Sequence, residues 1–232
     1  MKKVLSVLLT LILVLSCIIS CKSKEDEELT RALEVYRENK MASYEDENEK
    51  YDDYEVDVAF IGDSLTDGYD LKKYYPDLTV SNRGIGADTT FDVEKRLKVS
   101  LYDLKPKVAV MLIGANNFET MFENYENLLI GFKENLPNTK IILLSLTSMS
   151  GEWGKNNRIA AYNNVKIKLL AEKYSFAYVD LYSALLNLES GEIFPEYTTD
   201  GGHLTPRGYE VITAKITPEI ERALALWNEE NK

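Results

Sequence analysis

Two segments of this chain, residues 108–113 (Val-Ala-Val-Met-Leu-Ile) and 141–146 (Ile-Ile-Leu-Leu-Ser-Leu), are apolar at almost every position. A strand with one wet face alternates polar and apolar residues. A run without alternation must be covered on both faces, as parallel strands between two layers of helices are. Further strand-like runs occur at 56–61, 78–80 and 176–181, and helical stretches intervene at 90–104, 119–136, 157–174 and from Pro206 onward. In the third helix Ile159, Tyr162, Val165 and Leu169 fall on one stripe. Thr205-Pro206 reads as an N-cap followed by proline at the first helical position, and Thr217-Pro218 repeats the signal after a break. The alternation predicts a three-layer α/β/α sandwich with a mostly parallel sheet of five strands and right-handed crossovers. Ligands of such sheets bind outside the carboxyl ends of the strands.

The N-terminus obeys different rules. Met1-Lys2-Lys3 is a short positive region, and residues 4–19 are apolar with a few small polar interruptions. That stretch is short for a bilayer span, which needs roughly 20 residues, and reads as a signal peptide over 1–20. Both cysteines, Cys17 and Cys21, close it. Ile18-Ile19-Ser20-Cys21 resembles the lipobox of bacterial lipoproteins, in which the cysteine is lipidated and becomes the first mature residue. Cleavage before Cys17 would leave Ile18 and Ile19 exposed, and the polar Lys22-Ser23-Lys24 favours Cys21. The expectation is therefore an extracytoplasmic protein of the bacterial cell envelope, held to a membrane through Cys21. Residues 21–53 carry acidic runs around a short amphipathic helix (Leu29, Ala32, Leu33, Tyr36), a linker's composition; the domain is expected at 54–232.

The chain has 232 residues and a formal net charge of −11, more negative once the two leader lysines are removed. Such a surface repels nucleic acid phosphates and anionic headgroups. One histidine and no cysteine beyond Cys21 argue against a zinc site, and no disulfide framework is available to the mature chain.

Four polar, glycine-bearing segments fall at the predicted rim: Gly62-Asp63-Ser64, the turn from Asn82 to Asp88, Gly114-Ala115-Asn116-Asn117, and Asp200-Gly201-Gly202-His203. Ser64 supplies an attacking oxygen, which is a poor nucleophile without a base. His203, the chain's single imidazole, is the candidate base, and Asp200, three residues earlier, can fix its tautomer. Backbone N–H groups at Ser64 and in the turn 84–87, with the Asn116 amide, are candidate donors to an oxyanion.

These segments together resemble the SGNH (GDSL-type) hydrolase superfamily over about residues 54–230. Gly62-Asp63-Ser64-Leu65 matches its first block. The turn from Asn82 to Thr89 resembles the second, in the form of platelet-activating-factor acetylhydrolase-like members. Gly114-Ala115-Asn116-Asn117 resembles the third and Asp200-Gly201-Gly202-His203-Leu204 the fifth. The resemblance implies a flavodoxin-like sheet, a Ser64-His203-Asp200 triad, an oxyanion hole from Ser64, Gly86 or Ala87, and Asn116, and no cofactor. Two departures stand out: the second-block glycine aligns with Ala87, beside Gly86, and the usual third-block aspartate is Asn117. Tyr69, Phe118 and Trp153 are candidate pocket walls. The expected activity is hydrolysis of short-acyl esters, such as acetyl groups on carbohydrates or small molecules. Lysophospholipid or thioester hydrolysis, and a non-catalytic glycan-binding lipoprotein on the same fold, are the alternatives.

Overall fold

The apolar runs pair side by side. The computed structural model describes residues 2–232, with side chains at position 24 and from 26 onward. Its five strands are β1 (Val58–Gly62), β2 (Val80–Gly84), β3 (Val108–Leu112), β4 (Lys140–Leu144) and β5 (Ala177–Val179). They lie in the order β2-β1-β3-β4-β5, with every neighbouring pair parallel. The helices are α1 (Lys2–Asn48), α2 (Ser64–Asp67), α3 (Leu71–Tyr74), α4 (Thr90–Leu97), α5 (Tyr125–Asn135), α6 (Gly151–Gly154), α7 (Asn157–Tyr174), α8 (Tyr182–Leu185) and α9 (Pro206–Glu230).

Alternate strand residues feed two separate cores, which is why β1 and β3 are apolar throughout. Ala59, Ile61, Ala109 and Met111 face one core, built with Val93, Leu128, Phe132 and Ile167 from α4, α5 and α7. Val58, Phe60, Val108 and Val110 face the other, built chiefly with Ile212, Ile216 and Ile220 of α9. Each such large side chain contributes roughly 1.5–3 kcal/mol on full burial.

The structure departs from expectation where polar residues are buried. The second strand lies at Val80–Gly84 rather than 78–80, with Ser81 and Arg83 buried. The helix expected to run to 104 becomes a wide π turn over Lys98–Tyr102, and that expected from 119 begins as a 3-10 turn at Met121–Glu123. No break occurs at Pro218: α9 runs through it, because the isoleucine stripe anchors both sides and Thr217 Oγ1 donates to Thr213 O (2.8 Å). In α7 the stripe of Tyr162, Val165 and Leu169 faces solvent, while Ala160, Asn163, Asn164 and Ile167 face inward. The two asparagines are used there: Asn164 caps both Leu146 N and Leu146 O, and Asn163 Nδ2 donates to Phe118 O.

The chain divides into two compact units, one ending at Ala42 and one running from Ser43 to Lys232. The larger unit thus starts earlier than position 54, because Tyr44 is buried and Asn48 Nδ2 donates to Val99 O (2.8 Å). In the smaller unit, Leu29, Val35 and Tyr36 are exposed. The signal peptide and Cys21 lie outside the residues whose side chains are described.

Candidate active site

The ends of β1, β2 and β3 open on a cavity of about 180 Å³, walled in part by Ser64, Ala87, Asn116, Met149, Trp153 and His203. Gly62 makes the exit from β1 possible: a Cβ there would lie 2.1 Å from Leu112 O and 2.4 Å from Thr66 Oγ1. The strand passes at once into α2, capped by Asp63, whose carboxylate accepts from Leu65 N (3.1 Å). Ser64 is therefore the first residue of a helical turn. Tyr209 of α9 pins that turn by donating to Leu65 O (2.9 Å).

The histidine loop is held by its own carboxylate. Asp200 Oδ1 accepts from Gly202 N (2.9 Å) and His203 N (2.8 Å), and Asp200 Oδ2 lies 2.7 Å from His203 Nδ1. Gly201, at φ +91°, lets the loop pass against the segment before α6, where a Cβ would stand 2.3 Å from Ser150 O. The hydrogen bond from the His203 ring, joined by those backbone N–H groups, holds the Asp200 carboxyl down at about 2. An ionised carboxylate only accepts, so Nδ1 carries a proton, and in the neutral ring Nε2 presents a lone pair. Nε2 stands 3.0 Å from Ser64 Oγ.

Of the two second-block candidates, only Ala87 is at the cavity. Gly86 N–H is committed to Asp67 Oδ2 (3.2 Å), whereas Ala87 walls the cavity at φ +66°. Asn116 Nδ2 donates one proton to Asp88 O (2.9 Å), leaving its second N–H for the cavity. Asn117 explains its own departure from aspartate. Its amide donates to Thr90 Oγ1 (2.9 Å), which donates to Asn124 Oδ1 (2.6 Å), and Asn124 Nδ2 donates to Glu94 (2.8 Å). An aspartate at 117 has no proton with which to start that chain.

Trp153 is where a pocket wall was expected, edge-on to His203 (6.4 Å between centroids). Tyr69 is not: it is buried in the α9 core, stacked on Tyr209 (4.9 Å) with its hydroxyl on Thr213. Phe118 also turns away, onto the core beneath α4, α5 and α7. Thr147 and Met149, which do wall the cavity, follow the apolar run 141–146 and belong to no motif that could mark them. Asp63 is the cap of α2. Its Oδ2 has no hydrogen-bond partner among the described residues, and burial pushes the carboxyl up to about 7.

A serine, an imidazole and a carboxylate in a row at the edge of a parallel three-layer sheet are suited to acyl hydrolysis, and the family that the chain matches is one of carboxylic ester hydrolases. Residues 60–211 match the GDSL-like Lipase/Acylhydrolase family, and the chain belongs to that family. It is 30% identical over 190 residues to rat (Rattus norvegicus) platelet-activating factor acetylhydrolase IB subunit alpha2, covering 78% of this chain and 82% of that protein. Among solved structures it is similar to a GDSL-like lipase from Bacteroides thetaiotaomicron (25% identity, TM-score 0.69, 79% of this chain and 98% of that one). An acetylxylan esterase from Geobacillus stearothermophilus shares the fold (19% identity, TM-score 0.60, 73% and 95% coverage).

Proposed function

We propose that this protein is a serine esterase that removes short acyl groups, acetyl above all, from carbohydrates or small molecules. The observation that carries the reading is the hydrogen-bonded row Ser64–His203–Asp200, at 3.0 and 2.7 Å, opening on a cavity of only about 180 Å³. Ser64 Oγ adds to the ester carbonyl while His203 Nε2 takes its proton, and Asp200 stabilises the imidazolium. The N–H groups of Ser64 and Ala87 and the second amide proton of Asn116 receive the oxyanion, each worth roughly 100- to 1000-fold in rate. The alcohol leaves with the proton from His203. Water then attacks the acyl-enzyme, giving a proton to His203, which returns it to Ser64.

The cavity, walled in part by Met149 and Trp153, has room for an acetyl group, while a long acyl chain would have to extend beyond it. Two of the similar proteins carry acetyl removal in their names, which supports the same reading. The leader and Cys21 support a lipid-anchored enzyme of the bacterial envelope; Cys21→Ser should release the protein from membranes, and retention there would reject the anchor. Nitrophenyl acetate, butyrate and palmitate hydrolysis tests the acyl length, with preference for palmitate refuting it. A fluorophosphonate probe should label the wild type and spare Ser64→Ala; equal labelling of both would discard Ser64 as nucleophile.

A further inference from the structure

We infer that the last turn of α1, at Tyr44 and Glu47, is a positioning element for the oxyanion donors; the inference rests on the esterase reading above. Tyr44 is buried, and its hydroxyl donates to Gly84 O (2.7 Å), three residues before Ala87. Its ring lies under the guanidinium of Arg83 (4.7 Å), and its carbonyl accepts from Arg83 Nη1 (3.1 Å). Glu47 faces Arg83 Nη2 at 3.6 Å. Arg83 itself is fully buried in β2, so this turn supplies the packing and countercharge that let the arginine stay there.

From Arg83 the connection runs on through a second buried guanidinium. Arg96 Nη1 donates to Arg83 O (2.9 Å), Nη2 to Gly62 O (2.9 Å), and Nε to Asp88 Oδ2 (2.6 Å). Asp88 O in turn accepts from Asn116 Nδ2 (2.9 Å). One network thus fixes the strand end before Ser64, the turn that carries Ala87, and the amide of Asn116. Of its members only Asn116 walls the cavity. Tyr44 and Glu47 act only through these loops, so loosening them misplaces donors that matter in the transition state and leaves ester binding alone.

The test is Tyr44→Phe in the full chain, which keeps the ring beneath Arg83 and removes one hydroxyl. With nitrophenyl acetate, kcat should fall about tenfold, less than the loss of a whole oxyanion donor. KM should stay within about twofold, because the interaction lost is made in the transition state. Inhibition by phenylboronic acid, whose tetrahedral adduct on Ser64 mimics the oxyanion, should weaken by the same factor as kcat. Glu47→Gln, which keeps an acceptor beside Arg83, should show the same pattern at smaller size and serves if Tyr44→Phe does not fold. A folded variant with unchanged kcat and boronate affinity, or with a raised KM alone, overturns the inference. A wild type that neither hydrolyses the ester nor binds boronate removes the esterase reading and this inference with it.

Discussion

Replacing Ala87 by glycine should make the protein more stable without harming its activity. Ala87 sits at φ +66°, in the left-handed region. There Cβ crowds the following carbonyl, at a cost of about 1–2 kcal/mol for an L-residue. Glycine relieves that strain but also gives the unfolded chain more freedom, which returns about 0.5–1 kcal/mol. The difference leaves Ala87→Gly stabilising by about 0.5–1 kcal/mol. For a folded unit of this size each kcal/mol moves the thermal transition by roughly 2–4 °C, so a rise of about 1–4 °C is expected. The proposed donor is a backbone N–H, which glycine supplies equally, so kcat and KM on nitrophenyl acetate should stay within about twofold. Calorimetry and steady-state kinetics on the same preparation decide it. A lowered transition refutes the strain argument. A tenfold fall in kcat with the fold intact would mean that the methyl group, rather than the amide, is what position 87 contributes.

Other perturbations reach other parts of the site. Gly202→Ala places a methyl 3.1 Å from the Trp153 ring, so the tryptophan or the His203 loop must shift; kcat/KM should fall about tenfold or more, and unchanged kinetics would show the loop to be more yielding than its contacts imply. Asp200 is depressed from 3.8 to about 2, so its contribution to stability is present above about 3.8 and is lost as pH falls through about 2. Urea unfolding between pH ~5 and ~2 should therefore show the wild type losing more stability than Asp200→Asn, and parallel acid dependence of the two would contradict the assignment. Asp63 works in the opposite sense: raised from 3.8 to about 7, it contributes stability below about 3.8 that is lost as pH rises through about 7. Urea unfolding at pH ~5 and ~8 should show the wild type losing ground to Asp63→Asn by about 2–3 kcal/mol between the two, and parallel pH dependence would refute it.

What could be read in the sequence, and what could not, divides along a physical line. β1 and β3 were legible because burial on both faces leaves no room for polar alternation, and hydropathy registers that directly. The row Ser64–His203–Asp200 was legible because the chain holds one imidazole and the carboxylate lies within a single turn of it. The failures cluster where a polar side chain is buried against a partner from a distant segment. The apolar signal of β2 stops at Val80 because Ser81 and Arg83 are polar, though Arg83 is enclosed by residues 36–39 positions earlier in the chain. In α7 the apolar stripe faces out and the buried face carries Asn163 and Asn164, which hold the chain around the site, at Phe118 and Leu146. The choice between Gly86 and Ala87 depended on a single contact to Asp67, which no local pattern records. Hydropathy sends polar residues to water, and it is wrong at the positions that brace the catalytic loops. Asn163 and Asn164 are polar because what they hold is backbone beyond the strand ends, whose N–H and C=O groups have no ladder partners of their own.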